Sequence, residues 1–354
     1  MITLVYTVAE QHAGWQPFPP AKRSALLIAR TILRAALIGL TVFAAICLET
    51  SKILAANPVA SPTSSGDIEG PPPLGEPDVV PSAPLPRLQD ASKEHPWTNS
   101  LGMKFVPVSG TRVLFSIWDT RVQDFSVFVD HTNYNAIGGM YSMCKGTPNG
   151  EEDFWGQRGA TWKAPGFRQD PTHPVVGVSW YDAKAFCDWL TKSEHSSGRL
   201  PKEMTYRLPT DAEWSTAVGL GYEPGNTPYE KNSKIADVYP WGRGWPPPKG
   251  AGNYAGEESG RTPLIKGYND GWPRTSPVGS FHANKFGLYD MGGNVWQWCE
   301  DWDDNTHRFP VTRGNSWAGW DPNYLLSSLR AGEDPVKRSD VSGFRCVVAS
   351  DSSR

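Results

Sequence analysis

Phe286-Gly-Leu-Tyr-Asp-Met-Gly-Gly-Asn-Val-Trp-Gln-Trp298 is the stretch on which the fold turns. It is dense in Gly, Asn and Trp, which is turn and loop chemistry. The same chemistry recurs along the chain, which has 16 Trp, 35 Gly and 32 Pro in 354 residues. That composition favours a turn-rich fold packed by aromatic side chains and disfavours long helical bundles. Loops this long in a compact domain need something other than a strand ladder to hold them, such as metal ions, disulfides or buried indoles.

Regular elements are few and can be placed outward from that stretch. Met103, Phe105, Val106 and Val108, then Val113, Phe115 and Ile117, alternate as two strands of a hairpin with Ser109-Gly110 at the turn. Thr120-Arg-Val-Gln123 has the form of a capping box, with Phe125, Phe128 and Val129 on one face of the helix that follows. Ser179 with Asp182 predicts a second helix through Ala183, Phe186, Cys187 and Leu190. Thr210 with Glu213 predicts a third, with Trp214 turned inward. There is no repeat of fixed period.

The N-terminus has different chemistry. Lys22, Arg23, Arg30 and Arg34 precede an apolar run from Ala35 to Leu48 and the small residues Ala55 and Ala56. Such a run is short of the roughly 20 residues that span a bilayer, so residues 1–56 read as an export signal or an N-terminal membrane segment. Residues 57–95 are rich in Pro, Ser, Gly and Asp, with Pro71, Pro72 and Pro73 in a row. They read as a disordered linker that cannot offset its ordering entropy by burial. Order is expected from about Trp97, with one domain over residues 96–350. The product is exported, periplasmic or extracellular, and meets a membrane only through an uncleaved N-terminal segment. With a net charge of −3 and interspersed signs, the chain has no phosphate-binding surface for nucleic acid. Beyond Cys47 in the apolar run, Cys144, Cys187, Cys299 and Cys346 remain, and the residues alone leave all three pairings open.

Five ordered blocks carry a resemblance. They are His173-Pro-Val-Val-Gly-Val-Ser-Trp180, Arg207-Leu-Pro-Thr-Asp-Ala-Glu-Trp214, Tyr239-Pro-Trp-Gly242, the opening stretch 286–298, and Gly343-Phe-Arg-Cys346. Together they resemble the signature of the formylglycine-generating enzyme, or sulfatase-modifying factor, family. The resemblance implies an α+β fold, an elaborated C-type-lectin-like architecture with a mixed, mostly antiparallel β core and a few short helices.

It also implies structural calcium. One site corresponds to Asn253, Tyr254, Asp270 and Trp272, and a second to Asp290, Gly293, Val295 and Gln297. At the second, Asp290 stands where the family commonly has Asn, and Gln297 where it has Glu. Hard oxygen ligands from Gly-rich turns suit calcium on general grounds. The family's disulfide corresponds to Cys187 and Cys346, and its peptide groove to Arg313, Ser316, Trp317, Trp320 and Arg330.

The family's catalytic centre is where the chain departs. Those enzymes hold copper(I) on two cysteines five residues apart, and soft copper(I) wants thiolates. Here the block reads Arg313-Gly-Asn-Ser-Trp-Ala-Gly-Trp-Asp-Pro-Asn-Tyr324, with Gly319 and Tyr324 at the cysteine positions. Copper is therefore not expected. Of the seven histidines, none stands four residues from another, so a His-x-x-x-His iron helix is missing too. The reading that follows is a calcium-stabilised binding or scaffold module for an extracytoplasmic protein, peptide or glycan. The alternative is an oxidoreductase with iron or copper ligands relocated to distant loops.

Overall fold

The computed structural model describes residues 87–144, 154–157 and 160–350. The expected export segment and residues 57–86 lie outside the described residues. Within them, no helix is long and apolar enough to cross a membrane.

Among the described residues, eleven strands and three main helices are set among long loops. In chain order they are β1 (Trp97–Thr98), β2 (Lys104–Pro107), β3 (Leu114–Ser116), α1 (Val122–Thr132), β4 (Tyr141–Cys144), β5 (Phe154–Gln157), α2 (Trp180–Ser196), β6 (Met204–Arg207) and α3 (Asp211–Val218). After a region with almost no regular structure come β7 (Trp296–Trp302), β8 (Pro310–Arg313), β9 (Ala331–Gly332), β10 (Ser342–Gly343) and β11 (Val347–Ser350).

The strands form a five-stranded sheet in the order β1-β2-β3-β11-β6, a four-stranded sheet β10-β7-β8-β9 and a two-stranded ribbon β4-β5. Every pairing is antiparallel except β10 with β7. The expected hairpin is β2–β3, with Phe105 opposite Ser116. The chain's last strand, β11, is inserted between β3 and β6, so the terminal segment closes the sheet.

Two helix starts follow their capping residues. Ser179 Oγ accepts the Asp182 N–H at 3.2 Å, while the Asp182 carboxylate accepts the Ser179 N–H at 2.8 Å. Thr210 and Glu213 exchange the same two bonds at the head of α3. The first helix is shifted by one residue from the expected cap. Asp124, not Gln123, accepts the N–H of Arg121, and Thr120 is engaged instead by the segment just before β11. Thr120 donates its N–H to Phe344 O and sets its hydroxyl 3.7 Å from the Cys346 sulfur.

The expected linker also ends earlier than residue 95. Leu88 and Ala91 pack against the main core, and Lys93 Nζ donates to Lys285 O at 3.1 Å. Apolar side chains at Leu88 and Ala91 find a surface that the polar composition around them does not advertise.

The larger core joins α1, α2 and one face of the five-stranded sheet through Phe105, Phe125, Phe128, Phe186, Trp298 and Phe344. Phe186 is its hub, with ring centroids 6.1 Å from Phe125, 5.8 Å from Phe128 and Trp189, and 5.4 Å from Phe344. A second cluster around Phe115, Trp214, Leu288 and Val347 fills the other face. Indole N–H groups then clamp the loops. Trp180 donates to Cys299 O, Trp298 to Val178 O and Trp317 to Asp340 O, at 2.8, 3.1 and 3.0 Å. Replacing Phe186 with Ala should destabilise the domain by about 3–5 kcal/mol, the range for emptying a closed aromatic core position. Urea unfolding followed by tryptophan fluorescence checks this, and a loss under 1 kcal/mol would mean that the hub is not shared.

Candidate functional site

The irregular region between α3 and β7 brings together the first set of expected calcium ligands. Asn253 is buried, and its amide Nδ2 donates to Arg274 O at 2.7 Å, which turns Oδ1 the other way. That oxygen is buried without a hydrogen-bond partner. Asp270 accepts the N–H of Tyr254 at 2.8 Å and of Trp272 at 2.9 Å. Burial is the main influence on its carboxyl and pushes the pKa up to about 7, with those two N–H groups opposing it. A buried, unpartnered amide oxygen beside a desolvated carboxylate suits a hard divalent cation. The residues therefore fit: Asn253 and Asp270 would hold calcium by side-chain oxygen, with Tyr254 and Trp272 offering carbonyls.

The second set is arranged differently. Asp290 is buried and accepts the Gly279 N–H at 2.8 Å through Oδ2, leaving Oδ1 without a partner. Gln297, expected to ligate, has another task. Its Oε1 accepts from Trp214 Nε1 at 2.9 Å and Arg345 Nε at 2.8 Å, and its Nε2 donates to Asp290 O at 2.6 Å.

The expected peptide groove is corrected by burial. Arg313, Ser316, Trp317 and Arg330 are all buried, and Trp320 alone of the five is exposed. Both guanidiniums are committed to partners about a hundred residues away. Arg313 pairs with Asp211 and donates to Ser215 Oγ at 3.0 Å and Ser327 O at 2.8 Å. Arg330 pairs with Asp211 at 2.9 Å and Glu223 at 2.8 Å. Two cations thus meet two carboxylates out of water, and the two arginines hold Asp211 below the usual carboxylate range against the opposing effect of burial. These arginines lock α3 to the loops.

Of the two positions of the missing cysteines, residue 319 is closed. A β-carbon at Gly319 would lie 2.6 Å from Asn315 Oδ1 and 2.8 Å from Leu325 Cδ2, closer than real β-carbons approach. Asn315 is not free to move, since its Nδ2 donates to Tyr324 O at 2.7 Å. Tyr324 itself is exposed. Cys187 and Cys346, the expected disulfide pair, lie with their sulfurs 3.5 Å apart. Cys299 is a buried free thiol, and the side chain of Cys144 lies outside the described residues.

Sequence reasoning missed the open feature next to Trp317. Phe167, Asp170, His173, Trp272, Arg274 and Thr275 line a cavity of about 410 Å³. Arg274 lies over two rings, 4.4 Å from the centroid of Trp317 and 5.8 Å from that of Phe167. His173 sits edge-on to Trp272 at 5.6 Å, with Nδ1 3.0 Å from Thr275 Oγ1. Burial holds its imidazole below the usual histidine range, so the ring is neutral at pH 7. Trp272 was singled out only for its carbonyl, and that was the available signal. A larger cavity of about 760 Å³, lined in part by Leu88, Trp97, Val113 and Met204, adjoins Arg87 at the edge of the described residues.

A model described as the sulfatase-modifying factor enzyme 1-like domain matches residues 106–350. The chain is 32% identical over 213 residues to the formylglycine-generating enzyme of Thermomonospora curvata, covering 54% of this chain and 61% of that enzyme. It is 33% identical over 199 residues to inactive C-alpha-formylglycine-generating enzyme 2 of Bos taurus, covering 53% of this chain and 56% of that protein. It thus spans less than two thirds of the length of either relative. Among solved structures, PvdO from Pseudomonas aeruginosa is similar at 21% identity and a TM-score of 0.43, over 74% of this chain and 87% of that one.

Restoring both cysteines, Gly319→Cys with Tyr324→Cys, should not create a copper(I) site. It should also cost about 1–3 kcal/mol from overpacking at residue 319. Competition with a chromogenic copper(I) chelator and thermal unfolding measure the two effects. Tight copper binding with unchanged stability would refute the closed geometry.

Proposed function

The chain belongs to the sulfatase-modifying factor enzyme 1-like family, and on that premise we propose that it is an exported, calcium-stabilised binding module that forms no formylglycine through copper. The carrying observation is the Gly319 position, where neither a thiolate nor the space for its β-carbon is present. Copper(I) chemistry needs two soft sulfur ligands, and Tyr324 supplies none at the partner position. A relative at 33% identity bears the name of an inactive enzyme, which is consistent with this family carrying members without the activity.

The ligand surface in this reading is the cavity beside Trp317. Phe167 and Trp272 offer ring faces and edges, Arg274 a cation partly desolvated by the rings beneath it, and His173 a neutral imidazole. Aromatic walls with a few convergent polar groups suit an extended peptide or a sugar ring of an extracytoplasmic protein or glycan. Export rests on the basic and then apolar N-terminus. Calcium rests on the Asn253–Asp270 arrangement.

Two measurements test the proposal together. Purified protein given copper(I), oxygen and a sulfatase-type cysteine peptide should leave the peptide mass unchanged; an aldehyde product would overturn the non-catalytic reading. On peptide and glycan arrays, Trp272→Ala and Arg274→Ala should weaken the native protein's strongest capture about tenfold or more, the scale of a central aromatic or arginine contact. Capture indifferent to both changes would move the ligand away from this cavity.

A further inference from the structure

We infer that this chain holds a single structural calcium, at Asn253 and Asp270, and that at the second position, around Asp290, the Arg345 guanidinium is the resident cation. The inference rests on the calcium reading proposed above and goes beyond it, because it separates two sites that the family pattern treats alike.

The orientation of one amide decides each position. At Asn253 a carbonyl acceptor, Arg274 O, takes the NH2 group, and the oxygen is left buried and unpartnered. At Gln297 the order is reversed. Trp214 Nε1 and Arg345 Nε are donors only, and both point at Oε1. Rotating the amide would set its NH2 against two N–H donors, so the oxygen is fixed there and the NH2 faces Asp290 O. An N–H group cannot ligate a hard cation, and calcium wants six to eight oxygens. The buried oxygens there that lack hydrogen-bond partners are Asp290 Oδ1 and the two of Asp119, and Asp119 is ion-paired with the Arg345 guanidinium.

A positive charge is already installed beside Asp290. Arg345 is fully buried, donates through Nη2 to Tyr289 O at 2.8 Å and Asp290 O at 3.1 Å, and through Nη1 to Ser116 O at 3.1 Å. It pairs with the equally buried Asp119 at 3.2 Å. One guanidinium thus joins the β3 end, the turn at 289–290 and Gln297, which is the cross-linking expected of a metal at that place. A divalent ion there would face an N–H dipole and a fixed cation together.

Calcium stoichiometry of the full chain, by equilibrium dialysis with elemental analysis at saturating calcium, tests this. One calcium per chain is expected, lost in Asp270→Asn and kept in Asp290→Asn. Gln297→Glu, which replaces the N–H with a carboxylate oxygen, should raise the count to two. Two per chain in the native protein, or loss through Asp290→Asn with retention in Asp270→Asn, would overturn the inference. Folded Gln297→Glu protein that stays at one would overturn the role given to the amide. No bound calcium in the native protein would instead overturn the calcium reading on which it rests.

Discussion

Buried carbonyls are the problem this fold must solve. A chain with short strands and long interior loops carries backbone oxygens out of water without a ladder to pair them, and each unpaired group is costly. Three fully or nearly fully buried arginines and a set of indoles supply the donors. Arg313 reaches Leu329 O and Ser327 O, Arg330 reaches Ser328 O, and Arg345 reaches Ser116 O, Tyr289 O and Asp290 O. Guanidinium suits this work because its five N–H groups are held in one rigid plane. The carboxylates Asp211, Glu223 and Asp119 are then required by the arginines, since a buried cation without a partner is far less favourable than a pair.

That requirement explains how the sequence block around residues 313–324 relates to function. Arg313 opens the block and is consumed by scaffolding, and Trp317 is buried with its N–H on Asp340 O. The segment then turns tightly through Gly319, whose carbonyl accepts the Ala255 N–H at 2.9 Å. The backbone bond from Ala255 ties this turn directly to the loop bearing Asn253 and Tyr254. The segment is a packed corner against the loop that bears Asn253 and Tyr254. Arg274, in the neighbouring cavity, spans from Trp317 to Phe167.

Much of this was legible where the physics is local. The caps at Ser179 and Thr210 are hydrogen bonds within three residues, and the β2–β3 hairpin is an alternation around a two-residue turn. The cap at Thr120 was not, because Thr120 answers to Phe344 and Cys346, just before β11 and more than two hundred residues away. Arg313 and Arg330 were misplaced for the same reason. An arginine in a polar loop looks exposed until Asp211 and Glu223 are seen to reach it across about a hundred residues. Gln297 shows the limit most clearly. Its residue type permits a ligand oxygen, and only the two donors at Trp214 and Arg345 decide which way the amide faces.

If side-chain donors hold the loops as firmly as ladders hold strands, the loops should open only with the whole domain. Native-state amide hydrogen exchange measures this directly. The buried N–H groups of Asn294, Trp317 and Ala255 should exchange as slowly as those of β11, at the free energy of global unfolding. Exchange of these loop amides several kcal/mol more easily than the strand would contradict the account.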